Sequence, residues 1–447
     1  MMNVLLIGVD SLRPQMNCYG VKGMATPNFD CLASSGVFFT HAYCQMPPCA
    51  PSRASVFSGC RPDTTQVYDN STPLSAVLPD AITMSGQFKK SGYEVYGVGQ
   101  VLHNRNRDDP TGWTEPLPKR RQIVHQIPEN RAIVEARLKA SGGPDENGRW
   151  PPDLWPHCRL GPQIEAADVP DDAYIDGMTT NDAVERMRQL SGRPFFLAVG
   201  YVSTHLPLFA PRRYWDLYDD ERLESLGSLS TPSSEKREFE RAYCACVSYI
   251  DAQVGHLLDE LDHLGLSDKT IVILWVDHGT RLGEMGEHGK SRLPESVVRV
   301  PLMIRGPRMD LSRHGIDALV ENVDIYPTLC DLCDLPLPDH LEGISLIPIM
   351  MDPMLPWKSA AFSQRSSGDV MGYSMRTGSY RFTRWQNTDN PGSAEEFELF
   401  DLHADPMECV NMANLQENMK VQRKLAEQLD TGWRSALPPG SMENINE

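Results

Sequence analysis

Four short runs of the chain are apolar at nearly every position: Val4–Val9 (VLLIGV), Tyr93–Gly99 (YEVYGVG), Phe195–Tyr201 (FFLAVGY) and Thr270–Val276 (TIVILWV). Strands covered on both faces read this way, so these runs predict buried parallel strands. Helical periods lie between them. Thr26-Pro27 reads as an N-cap followed by proline at the first helical position, with Gly36 closing that helix. Asp80–Ser91 ends at Gly92, and residues from about Glu235 to Leu264 carry apolar positions at helical spacing until Gly265. Strands alternating with helices predict an α/β sandwich with a mainly parallel central sheet. Asn104–Asp172 is rich in proline, charge and tryptophan and poor in periodicity, and reads as an irregular excursion over one face of the fold. Beyond about Leu346 the pattern changes. Gly372–Trp385 alternates around a Thr-Gly-Ser turn, as a hairpin does. A smaller C-terminal α+β domain with an antiparallel sheet is expected, ending in a helix near Leu415–Leu437. The expected division is 1–345 and 346–447.

The 447 residues suffice for one large domain and a smaller one. With 42 Lys and Arg against 60 Asp and Glu, the formal charge of −18 repels nucleic acid and anionic membrane, so neither is expected as a partner. No run approaches the ~20 apolar residues that span a bilayer. The chain goes from Met1-Met2-Asn3 straight into Val4–Val9, without a basic segment or a small-residue cleavage site. The 11 cysteines are odd in number and scattered. Reduced, buried thiols are expected, which favours the cytoplasm; the alternative is an exported chain whose leader is absent from this sequence.

Candidate chemistry gathers where the strands end. Val9 is followed by Asp10, Gly99 by Gln100 and His103, Tyr201 by His205, and Val276 by Asp277-His278-Gly279. In an open parallel sheet, ligands bind beyond these carboxyl ends. Any one of these residues is as readily a loop or helix cap. Four strands delivering polar side chains to one edge point to a metal or catalytic site. Cys49-Ala50-Pro51-Ser52-Arg53 adds to this. Pro51–Ser58 looks like a short helix ending at Gly59, so Cys49 falls at its N-terminus, where free N–H groups favour an anion, with Arg53 one turn later. Such a cysteine is either a buried structural thiol or an activated nucleophile.

Cys-x-Pro-Ser-Arg followed by this glycine resembles the signature of the sulfatases, a family of the alkaline-phosphatase superfamily. The resemblance runs through Asn3–Arg13, Ala25–Gly36, Cys49–Asp69, Asp277-His278-Gly279 to Lys290, and Glu398–Leu402 with Asp405-Pro406 and Asn411. Ala50–Asp69, Phe195–Pro207, Ser248–Leu257 and Met371–Tyr380 are similar to the iduronate 2-sulfatases in particular, whereas Asn104–Asp172 shows little match. The resemblance implies an alkaline-phosphatase-like sandwich whose C-terminal domain completes the substrate pocket. It implies hydrolysis of a sulfate ester on a sulfated sugar or uronate. It also implies that a maturation enzyme oxidises Cys49 to formylglycine. Hydrated, that aldehyde offers one oxygen to a metal as nucleophile, and a second hydroxyl whose deprotonation expels sulfate and restores the aldehyde. The family's ligand set maps onto Asp10, Asp277, His278 and the Cys49-derived oxygen. Mostly oxygen ligation points first to Ca²⁺, while one histidine and two carboxylates leave Mn²⁺ and Zn²⁺ open. By the same resemblance Arg53 holds the diol, Lys290 a sulfate oxygen, His103 is the base for the diol and His205 the proton donor to the leaving alcohol.

The chain departs from the family at Ser11, where a further metal ligand is usual, and at Gln100, where a lysine is frequent. Arg281 or Arg105 is the expected replacement cation. Thr280 stands where the iduronate sulfatases carry an aromatic residue. Arg365, in a short expected loop Gln364–Val370, is the candidate for a uronate carboxylate, with Gln100 and Thr280 as further substrate contacts. Two rival functions remain at this stage. One is a phosphonate or phosphate ester hydrolase on the same site; the other is a degenerate fold that binds sulfated glycan without turnover.

Overall fold

The four apolar runs form the middle of one sheet. In the computed structural model, which describes residues 1–119, 124–142, 160–225, 234–307, 315–390 and 395–440, the strands are β1 (Asn3–Val9), β2 (Val37–Tyr43), β3 (Glu94–Gly99), β4 (Phe195–Tyr201), β5 (Thr270–Val276), β6 (Arg299–Val300), β7 (Leu302–Arg305) and β8 (Gly315–Glu321). Their order is β6-β2-β7-β5-β1-β4-β3, with β8 also pairing β2. β5, β1, β4 and β3 run parallel. β7 is antiparallel to both of its neighbours, β5 and β2. The expected strands sit within a residue of their observed bounds. β2, β6, β7 and β8 were not expected. β2 carries Thr40-His41 in its middle and is only half covered there, and β7 is four residues long.

The helices are α1 (Pro27–Ser34), α2 (Cys49–Ser58), α3 (Met84–Lys90), α4 (Ile175–Leu190) and α5 (Ser234–His263). Strand alternation assigns them to faces. Phe196 and Trp275 point one way, where Phe88 of α3 and Phe57 of α2 meet them at ring-centroid distances of 4.7 and 6.4 Å. Tyr201, five residues from Phe196, points the other way, and its hydroxyl lies 2.9 Å from that of Thr180 on α4. Gly8 lies against Trp275: a Cβ there would come within 3.1 Å of the indole.

The ends of α1 and the start of α3 differ from expectation. Thr26 does not cap α1; its hydroxyl accepts from Asn17 N. Asp251 of α5 takes that place, its Oδ1 accepting from Asn28 N at 3.0 Å and from Phe29 N at 2.7 Å. Gly36 does not end α1 by a left-handed turn. It lies where β7 crosses, and a Cβ would stand 2.5 Å from the Ile304 carbonyl oxygen. α3 begins at Met84, capped by Thr83, rather than near Asp80. Within the excursion, Trp113 and Leu117 are buried and cover the α2 face, with Trp113 6.1 Å from Phe57. The helix Pro128–Ala140 buries no residue, and 120–123 and 143–159 lie outside the described residues.

β9 (Ala360–Ser367), β10 (Val370–Thr377), β11 (Tyr380–Asn387) and β12 (Glu396–Asp401) form the antiparallel C-terminal sheet. Met375, Phe382 and Leu399 point to one face, covered by Leu425 and Leu429 of α6 (Met419–Thr431). The opposite face lies on the main body. There Ser363 Oγ donates to Cys44 O at 2.6 Å, and Arg376 and Arg381 both reach Glu295. The expected loop Gln364–Val370 is instead the end of β9 and a tight turn at Gly368-Asp369. Among the described residues no helix is long and apolar enough to cross a membrane.

Candidate active site

Asp10 and Asp277-His278 leave adjacent strands β1 and β5, so the register alone sets the two carboxylates side by side at the sheet edge. Cys49 arrives from the far end of β2 as the first residue of α2. Asp10, Cys49, Asp277 and His278 are all buried, and one ligand atom from each lies within 4.8 Å of the others. It is the one group of this kind among the described residues. His278 Nδ1 is 2.9 Å from Gly279 O, which makes Nδ1 the protonated nitrogen and leaves the Nε2 lone pair toward the group. That set of two carboxylates, an imidazole lone pair and a sulfur or its oxygen replacement suits a divalent cation.

Arg53 is 1% exposed and sits on the Asp10 and Asp277 carboxylates rather than on the Cys49 side chain. Its Nε donates to Asp277 Oδ2 at 3.0 Å, and Nη2 stands 2.9 Å from the same oxygen and 3.3 Å from Asp10 Oδ2. Nη1 donates to the carbonyls of Gln100 and Val101. The guanidinium therefore locks the two carboxylates to the end of β3. The start of α2 is also less open than its position suggests. Asn70 Oδ1 accepts from Ala50 N at 3.0 Å, so one of the free N–H groups is already used.

On the other side of Cys49 stand the expected proton carriers and the lysine. Lys290 Nζ donates to the sulfur at 3.1 Å and lies 2.7 Å from His278 Nε2. His103 and His205 also act on the thiol and favour its ionised form. His205 Nδ1 is taken by Leu206 O at 2.6 Å, leaving Nε2 for the sulfur side. Burial alone would push the Cys49 thiol up. Lys290, His278, His103 and His205 outweigh it and hold Cys49 well below its ordinary value. Burial likewise opposes charge on Lys290, yet Cys49, Asp10 and Asp277 hold its pKa above the usual one. His205 is also raised; burial works against this, and Asp10 and Cys49 prevail. Lys290 thus faces the sulfur as a buried cation inside a chain of net charge −18.

Ser11 lies at φ 62, its N–H donating to Asp277 Oδ1 at 3.1 Å and its hydroxyl to Asp10 Oδ1 at 3.0 Å. It orients both carboxylates rather than standing apart from them. Gln100 Oε1 is buried without a hydrogen-bond partner. Arg281 is committed to Glu287, and Arg105 to the carbonyls of Pro118 and Gly99, so neither is a replacement cation at the sulfur. Thr280 is half-buried and bonds only weakly, at 3.4 Å, to Arg281 O. Arg365 is half-buried on the body-facing side of β9, opposite Gly372, with Nε and Nη1 unpartnered. Sequence reasoning missed Asn70, Ser52 (which donates to Asp277 O) and Thr204 (which donates to Asp10 O). Their partners lie 20 to 225 residues away, and nothing local marks them.

The family model described as Sulfatase matches residues 2–335, and that described as N-sulphoglucosamine sulphohydrolase, C-terminal, matches 283–434. The chain is 32% identical to Iduronate 2-sulfatase of Mus musculus, across 92% of this chain and 91% of that one. It is 31% identical to a Sulfatase of Formosa agariphila, across 95% and 84%. Among solved structures, the Phosphonate Monoester Hydrolase of Agrobacterium radiobacter shares the fold at a TM-score of 0.73 and 21% identity, covering 96% of this chain and 95% of that one. The long reach of the first family model and the identity to these relatives over nearly the whole chain place this protein in the sulfatase family of sulfuric ester hydrolases.

Proposed function

We propose that this sulfatase cleaves a sulfate ester on a sulfated uronate sugar, using formylglycine made from Cys49 and one divalent cation, Ca²⁺ in preference to Mn²⁺ or Zn²⁺. The observation that carries the reading is the double environment of one atom. Cys49 Sγ lies within the Asp10–Asp277–His278 group on one side and 3.1 Å from Lys290 Nζ on the other. A residue in that position can hold a cation-activated oxygen and face a sulfate at once. The uronate assignment is supported by the similarity to Iduronate 2-sulfatase and by the unpartnered, half-buried guanidinium of Arg365, which fits a carboxylate.

The encoded thiol marks the place of the formylglycine oxygens. Asp10, Asp277 and His278 would hold the cation, whose charge would lower the pKa of a neighbouring oxygen toward neutrality. Arg53 keeps both carboxylates in place. Lys290 offsets the negative charge that develops on the sulfate oxygens. His205 would give its Nε2 proton to the departing alcohol, and His103 would take a proton from the Cys49-derived group.

The test compares an aryl sulfate with an aryl phosphonate on protein produced with a formylglycine-generating enzyme, for the wild type and for Cys49→Ala. Faster turnover of the sulfate is expected, together with loss of multiple turnover in the variant at unchanged circular dichroism. A variant that still turns over would refute the nucleophile. Preference for the phosphonate would replace the sulfate-ester reading with the rival hydrolase.

A further inference from the structure

The loop that presents His205 is anchored by a carboxylate with no part in the chemistry above. Asp176, in the first turn of α4, is fully buried. Its Oδ1 accepts from Val202 N at 2.9 Å and its Oδ2 from Ser203 N at 2.7 Å. These are the first two residues after β4. The chain then turns tightly, with Thr204 N and His205 N both donating to Val202 O at 3.0 and 2.9 Å. Thr204 Oγ1 donates to the carbonyl of Asp10, and His205 Nδ1 is held by Leu206 O. His205 is thus placed by a short relay: Asp176 sets Val202, Val202 sets the backbone of His205, and Leu206 sets the ring.

The other end of the relay is rigid. Gly177 N donates to Tyr249 Oη at 2.7 Å, Tyr249 donates to Asp171 O, and Thr180 of the same helix meets Tyr201 at the end of β4. A buried carboxylate answered by backbone N–H groups is costly unless both oxygens are satisfied. Here each oxygen takes one of two successive N–H groups. An amide in its place accepts from one and sets its own NH₂ against the other.

We propose that Asp176 is a positioning residue for the departure of the alcohol: it fixes the angle at which His205 aims Nε2 at the leaving oxygen. The inference rests on His205 being the proton donor. The experiment uses matured enzyme and a series of aryl sulfates whose phenols span a wide range of acidity, comparing wild type, His205→Ala, Asp176→Asn, Asp176→Glu and Asp176→Asn/His205→Ala. A proton donor matters little for an acidic phenol and much for a weakly acidic one. His205→Ala is therefore expected to steepen the dependence of kcat/KM on leaving-group acidity. Asp176→Asn is expected to steepen it in the same sense, losing about tenfold or more on the least acidic phenol and little on the most acidic, with KM nearly unchanged. The double variant should be no worse than His205→Ala. Asp176→Glu, which keeps both acceptors, should recover part of the slope. If His205→Ala leaves the slope unchanged, the proton-donor reading of His205 fails whatever Asp176 does. If His205→Ala steepens it while Asp176→Asn or Asp176→Glu lowers all substrates equally, Asp176 is a fold residue and the inference is overturned.

Discussion

Ser11 illustrates how a single side chain changes its meaning once its neighbours are visible. Read along the chain, it is a lost metal ligand. In space its hydroxyl lies 3.0 Å from Asp10 Oδ1 and its N–H holds Asp277 Oδ1, so position 11 faces the cation group directly. Ser11→Asp is accordingly expected to raise Ca²⁺ affinity, because a third carboxylate joins an oxygen-rich set. Titration calorimetry on the apo-protein tests it, and unchanged affinity would mean that the added carboxylate turns away. Arg53 shows the same gap between motif and geometry. The signature places it one turn from Cys49, yet its partners are Asp10, Asp277 and the carbonyls ending β3. The residues that gather around Cys49 were legible because strand ends and one motif mark them. The residues that orient them were not, since a serine, an asparagine or an aspartate whose partner lies 20 to 225 residues away has no local pattern.

Elements were readable where one local rule sufficed. β4 and β5 are apolar because they are covered on both faces, and their bounds follow from that alone. α1 was placed to within a residue or two, but its cap was misassigned because the cap belongs to another helix. Asp251 of α5 accepts the N–H groups of Asn28 and Phe29, and burial pushes its carboxyl up to about 7. The unfolded value is ~3.9, so the folded chain binds this proton more tightly. Its contribution to stability is fully present below ~4 and is lost as pH rises to about 7. Asp251→Asn removes that titration. Urea unfolding at a series of pH values should show a shallower fall across this window, by on the order of 2–4 kcal/mol. Identical slopes in wild type and variant would show that the raised pKa is compensated elsewhere.

The C-terminal sheet is joined to the catalytic body by buried charge as well as by packing. Lys358, just before β9, pairs with Glu321 at 2.8 Å and Asp324 at 2.7 Å, and Arg61 holds the other side of Glu321 at 2.6 Å. Burial opposes charge on Glu321, but Arg61 and Lys358 hold its carboxyl well below the usual range. Lys358→Met leaves Asp324 buried beside Glu321 without its cation. A loss of about 3–5 kcal/mol is expected by denaturant unfolding; a loss below ~1 kcal/mol would mean that this junction is held by packing alone. Across the whole molecule, the sheet edge and the Cys49 helix converge on one atom, Cys49 Sγ, and the proposed chemistry depends on what that atom becomes. The decisive measurement sets the fraction of the Cys49 peptide converted to formylglycine, read by mass spectrometry as replacement of the thiol by a carbonyl oxygen, against aryl-sulfate turnover in preparations matured to different extents. Turnover proportional to the converted fraction, falling to zero with the unconverted thiol, is the predicted result. Turnover independent of conversion would contradict it.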